Sequence, residues 1–231
     1  MARRRTDDAR RVAVIGLGRF GRSVAQTLHE LGYGVTGIDL SERLVEEASS
    51  YVALAAQGDG ADEELLRSLE VDRAAVGIVA QGRNIEANLL ATLQLKRLGV
   101  PWVVAKATSD LHGELLRRIG ANRVIFPERD AGVRLAHALA VPSITDYISL
   151  SPTSGVAKFT APSPFIGRTL SEINAAADAT LTVLLIRRGN TLLSLPSPVE
   201  RIEPDDVLVV AGSDKDIELF AETKMPESGP R

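Results

Sequence analysis

Val12-Ala13-Val14-Ile15-Gly16-Leu17-Gly18-Arg19-Phe20-Gly21 decides how this chain is read. Four apolar residues with the composition of a buried strand run into G-x-G-x-x-G, and the pattern that follows has helical periodicity. The pattern of glycines alone is weak. Its context strengthens it, because Asp39 closes a second apolar run eighteen residues past Gly21, where an acidic side chain meets ribose hydroxyls in dinucleotide-binding folds. Gly16 permits the tight turn, Gly18 lets the backbone approach a pyrophosphate, and Gly21 allows the helix to pack on the sheet. The helix start then presents N–H groups and a partial positive charge to phosphates. A carboxylate at Asp39 repels a 2′-phosphate, which disfavours NADP. The motif does not choose among NAD, ADP and ATP, since all three carry adenosine ribose and a phosphate chain. Its bland rival is a set of glycines that only shape a turn.

Outward from this loop, strand-like runs at 12–15, 35–38, 52–55, 76–79, 102–105 and 124–126 alternate with helix-sized intervals. The alternation predicts an α/β fold, a doubly wound parallel Rossmann sheet, over residues 11–141. The clearest helices span 20–31 and 84–98, closed by Gly32 and Gly99, and a further helix at 130–140 ends before Pro142. Residues 142–154 read as a linker: 144–150 looks extended, and Ser151-Pro152-Thr153-Ser154-Gly155 reads as a turn or hinge. Residues 155–224 then form a second, smaller α+β domain. Its strands fall at 156–159, 181–187, 191–195 and 207–211, with Arg188-Gly189-Asn190 as a hairpin turn and helices near 170–174 and 214–221. The last six or so residues read as frayed.

With 231 residues, 45% of them hydrophobic and 25% charged, the chain suffices for two cores without disulfide or metal staples. It has no cysteine, which removes disulfides, thiolate metal sites and cysteine nucleophiles and fits a reducing cytoplasm. A net charge of −3 argues against nucleic acid as a partner, the basic start at Arg3, Arg4, Arg5, Arg10 and Arg11 being a local exception. No apolar run approaches the roughly 18 residues of a membrane span, so membrane contact is expected only through a partner. The three histidines, His29, His112 and His137, fall in helical patterns. The small module has no histidine, and no catalytic constellation stands out, so the chain does not read as an enzyme. An NAD-dependent oxidoreductase is the alternative, and a redox-sensing DNA-binding regulator is disfavoured because no helix-turn-helix segment is visible.

Several segments resemble the regulator of potassium conductance (RCK) family, in particular its Ktr/Trk-type cytosolic subunits. They are the loop 16–21, Asp39, Gly58-Asp59-Gly60, Asn84-Ile85-Glu86-Ala87-Asn88 and Lys106. The stretch Ile119-Gly120-Ala121-Asn122-Arg123-Val124-Ile125-Phe126-Pro127-Glu128-Arg129-Asp130-Ala131-Gly132 matches too and is more specific than the glycine loop, which many folds share. In the smaller domain, Ile166-Gly167-Arg168-Thr169-Leu170 and the segment 205–212 match as well. The resemblance implies ATP or ADP, with NAD as the other option, held by Gly16, Gly18, Arg19, Phe20, Gly21, Asp39, Leu40, Ser41, Asp59, Gly60, Gln81, Gly82, Arg83, Lys106, Ala107, Thr108, His112 and Glu128. It further implies a homodimer assembled into a ring, an octamer, at the inner face of the cell membrane beneath a membrane potassium-translocating subunit. Arg19 would read the terminal phosphate bound in a neighbouring subunit, and Glu128 would be the metal residue, sharing a divalent or monovalent cation with its dimer mate. The smaller domain is implied to supply either dimer contacts alone or a cyclic di-AMP site. Each role has a plainer rival: Lys106 as a solvated strand end, His112 as a surface helix residue, and Glu128 as a helix-start acid.

Overall fold

The computed structural model describes residues 10–140, 144–151, 153–177 and 180–222. Arg3, Arg4 and Arg5, the expected stop at Pro142, Pro152 of the expected hinge and the expected frayed tail lie outside the described residues. The chain divides into two compact units, Met1–Glu128 and Arg129–Arg231.

The first unit runs β1 (Arg11–Ile15), α1 (Arg19–Glu30), β2 (Gly34–Asp39), α2 (Glu42–Ala48), β3 (Leu54–Gln57), α3 (Glu63–Ser68), β4 (Val76–Val79), α4 (Ile85–Arg97), β5 (Trp102–Lys106), α5 (Asp110–Ile119) and β6 (Arg123–Ile125). These strands form one parallel sheet in the order β3-β2-β1-β4-β5-β6. Chain order therefore reverses between β1 and β4, the switch point at which such sheets open a crevice at their carboxyl ends. The period of two explains why β1 is apolar throughout. Ala13 and Ile15 enter one core with Leu66, Leu95 and Leu116, while Val12 and Val14 enter another with Leu17, Ala25 and Val35.

The third strand begins at Leu54, not at 52, pairing with β2 from Thr36↔Leu54 onward. Tyr51 and Val52 are diverted because both donate their backbone N–H to the Ala48 carbonyl and so close α2. Short helices that the pattern leaves unassigned owe their starts to caps: Asp62 accepts from Glu64 and Leu65 before α3, and Ser109 accepts from His112 before α5.

The next helix, α6 (Pro127–Ala140), starts three residues earlier than its spacing predicts. Proline at the first helical position lacks only an N–H that needs no partner there. The second unit continues with β7 (Ile144–Ser151), β8 (Ser154–Thr160), α7 (Leu170–Ala177), β9 (Leu181–Arg188), β10 (Thr191–Ser194), β11 (Val207–Ser213) and α8 (Asp214–Ala221). Its antiparallel sheet is ordered β10-β9-β11-β8-β7. Much of the stretch read as a linker is thus β7, an edge strand paired with β8. The core on one face centres on Phe220, which meets Phe159 and Phe165 edge-on at 5.8 and 5.3 Å between ring centroids.

Candidate functional site

The glycine turn lies at the switch point and is built from close approaches. Gly16 has φ +92° and donates its N–H to the Ile38 carbonyl at 2.8 Å. A Cβ there would come within 2.9 Å of the Gln81 nitrogen, so the turn after β1 rests directly on the loop after β4. At Gly21 an added Cβ would lie 1.8 Å from the Gly16 oxygen, a clash that no rearrangement of a side chain relieves. Gly18 caps α1 without a side-chain bond, which leaves the first amides of the helix to whatever sits in the crevice.

Asp39 ends β2 beside this turn. Its Oδ2 accepts the Leu17 N–H at 2.7 Å and its Oδ1 the Ser41 N–H at 2.9 Å. Each oxygen keeps a further lone pair, so the carboxylate can hold the turn and still accept ribose hydroxyls. Leu40 is exposed, and its carbonyl accepts from Gln57 Nε2 at 3.1 Å. Asp59 accepts the Ala61 N–H at 2.9 Å, and Gly60 is pressed against Ile15, whose Cγ2 would stand 2.1 Å from a Cβ. These residues make up the β2–β3 side of the crevice.

Across the switch point, Lys106 closes β5 with only 9% of its surface exposed. The plain reading of it as a strand end in water is therefore corrected. Its Nζ donates to Glu128 Oε1 at 2.5 Å and stands 5.7 Å from the Phe20 ring centroid. The lysine hydrogen bond holds the Glu128 carboxyl below its ordinary range. A Cβ on Gly82 would lie 3.2 Å from the same Nζ. Arg19 and Arg83 are exposed and form no ion pair among the described residues.

Ala107 is buried, its N–H donating to the Ile125 carbonyl at 2.8 Å. His112 is a second correction: it is 1% exposed, not a surface helix residue. Its Nδ1 lies 3.3 Å from both the nitrogen and the hydroxyl of Thr108, and burial lowers its pKa, favouring the neutral ring. The structure thus gathers the turn, Asp39, Phe20, Gln81, Gly82, Lys106 and Glu128 around one crevice, whereas the His112 ring is packed behind Thr108. Among the described residues no three acidic or histidine side chains gather to hold a metal. Glu128, already paired with an ammonium, does not make a cation site within one chain.

One participant escaped the sequence reading. Asn88 was visible only as part of the opening of α4, yet its buried carboxamide joins the Gln81 and Lys106 carbonyls. The available signal was a second asparagine one helical turn after the cap Asn84, on the face turned to the sheet.

The glycine turn, the acid Asp39 at the end of β2 and the switch point together define a Rossmann-type geometry. Residues 12–127 match the TrkA-N domain and residues 156–224 the TrkA-C domain. The Ktr system potassium uptake protein C of Bacillus subtilis (strain 168) is 37% identical over 90% of this chain and 94% of its own length. Protein A of the same system in that organism is 35% identical over the same shares. Among solved structures, the GsuK channel bound to NAD superposes with a TM-score of 0.61 over 95% of this chain at 21% identity. This chain spans 40% of that one, and the likeness is one of fold. The chain belongs to the family of Ktr-type potassium uptake proteins built from a TrkA-N and a TrkA-C domain. Membership favours the potassium-transport reading over the oxidoreductase one.

Proposed function

We propose that the crevice holds an adenine nucleotide, ATP or ADP with NAD as the alternative, and that its occupancy sets how this subunit acts on a membrane potassium-translocating partner. The observation that carries this reading is the bond from Leu17 N–H to Asp39, which makes the ribose acceptor and the phosphate-binding turn one unit. The fold neighbour bound to NAD supports it, as do the family's potassium uptake proteins. The β2–β3 side takes the adenosine, and the helix start, Gln81-Gly82-Arg83 and Lys106 take the phosphates.

Arg19, exposed at the start of α1 and without an ion pair among the described residues, suits a terminal phosphate bound by a second copy in a homodimer within a ring, an octamer. In that assembly Glu128 leaves Lys106 to the phosphate and shares a cation with its mate. The smaller domain contributes dimer contacts or a cyclic di-AMP site. No helix among the described residues is long and apolar enough to cross a membrane, which supports contact through the partner. No catalysis is assigned to the chain. A ligand biases the partner only by its difference in affinity for two assembly states, and the terminal phosphate is the source of that difference.

Calorimetry with ATP, ADP and NAD tests the reading. Arg19→Ala is expected to weaken ATP about tenfold more than ADP, roughly 1.4 kcal/mol. Equal losses for both nucleotides remove Arg19 from a sensing role, and NAD binding with substrate turnover but no ATP binding restores the oxidoreductase.

A further inference from the structure

Asn88 is completely buried, and its Oδ1 has no hydrogen-bond partner among the described residues, so the carboxamide is held there by its two hydrogens. Both are used. Nδ2 donates to the Gln81 carbonyl at 2.6 Å and to the Lys106 carbonyl at 3.1 Å. The two acceptors fix the orientation of the amide, because an oxygen in that place would face two carbonyl oxygens. Each carbonyl stands where its strand runs out: Gln81 lies just past β4, and Lys106 is the last residue of β5. There the sheet ladder no longer supplies N–H partners. The helix turn that carries the amide is tied in its own right, Thr92 Oγ1 donating to the Asn88 carbonyl at 2.8 Å.

What the amide joins is one half of the crevice. Gln81 is the residue on which Gly16 rests, and Lys106 carries the ammonium beside Gly82. Asp39, Asp59 and Gly60, on the β2–β3 side, have no bond to it. We infer that Asn88 is a positioning residue, a brace that holds the Gln81-Gly82-Arg83 loop against Lys106 and so sets the width of the phosphate half of the crevice, leaving the adenosine half unaffected. The inference rests on the nucleotide reading above.

The test is calorimetry on the full chain with ATP and with adenosine, alongside thermal unfolding. Asn88→Leu removes both donors at similar volume. It is expected to weaken ATP tenfold or more and to leave adenosine within about twofold, about 1.4 kcal/mol against a few tenths. A merely structural role would lower the melting temperature and both affinities together, and that outcome, or ATP affinity equal to wild type, overturns the inference. If Asn88→Leu fails to fold, Asn88→Ser, which keeps one donor, is set against Asn88→Asp, whose carboxylate would face two carbonyls. ATP is then expected to bind the serine variant at least fivefold more tightly, and equal affinities overturn the brace. A wild-type chain that binds neither ligand sinks the nucleotide reading and this inference with it, whereas wild-type binding with unaltered variants sinks the brace alone.

Discussion

Lys106 in the first unit and Arg188 in the second are both cations drawn into their own folds, and they are satisfied to very different degrees. Arg188 is saturated. Its Nε and Nη2 bond both oxygens of Asp206 at 3.0 and 2.9 Å, Nη1 reaches Glu200 and Glu203, and Nη2 also donates to the Arg201 carbonyl at 2.8 Å. Asp206 is wholly buried and accepts the Glu203 N–H as well. Those hydrogen bonds, with Asp206 the foremost, hold the guanidinium charged more firmly than usual. Among the described residues Lys106 by contrast has one carboxylate, itself 70% exposed at the side chain, and the face of one aromatic ring. An ammonium has three donors. A network with every donor placed pins a structure, while a buried cation with donors to spare is what the proposed phosphate site requires.

The comparison breaks most visibly at Asp206. Asp206→Ala leaves Arg188 without its buried partner and is expected to cost about 3 kcal/mol, the scale of breaking a buried pair. Urea unfolding followed in the second unit measures it, with ATP affinity unchanged. A loss under about 1 kcal/mol would mean that Glu200 and Glu203 carry the arginine by themselves.

Lys106→Met should do the reverse. ATP affinity is expected to fall tenfold or more, roughly 1.4 kcal/mol, with little change in melting temperature because the freed Glu128 carboxylate faces solvent. A variant that unfolds easily yet binds ATP normally would place Lys106 with the structural cations.

The smallest effect concerns His112. Its folded pKa lies below the ordinary value near 6.5 because burial disfavours the charged ring. As pH drops below about 6.5 the unfolded chain takes up a proton that the folded chain refuses, so stability is full above that value and declines beneath it. His112→Gln is expected to flatten this part of the stability profile, read as urea midpoints at about pH 7.5 and 5.5. Identical slopes for variant and wild type would show that the ring stays protonatable in the folded state.

Periodicity made the parallel sheet legible because its central strands, β1 and β4, are buried on both faces and read as apolar runs. The turn at Gly16 and the acid at Asp39 were legible too, since each depends on local backbone shape and a fixed offset along the chain. Residues 54–57 were harder: Val52 looks like a strand residue, and only the closure of α2 on Ala48 moves the strand onward. The burial of Lys106 and His112 was hidden for a related reason, as a polar residue at an element end says nothing about what will cover it. Phe20 and Glu128 cover the first, and the Thr108 turn packs against the second.

By itself the sequence determined the order of elements, the glycine elbow and the acid opposite it, all features that act within one turn or one strand and are written in neighbouring residues. Tertiary structure alone decided which cation is saturated and which keeps donors to spare, and that a single asparagine joins two strand ends. Those depend on carbonyls and carboxylates brought from 7 to 22 positions away, and burial, which sets the strength of each such bond, exists only once the chain has closed around it.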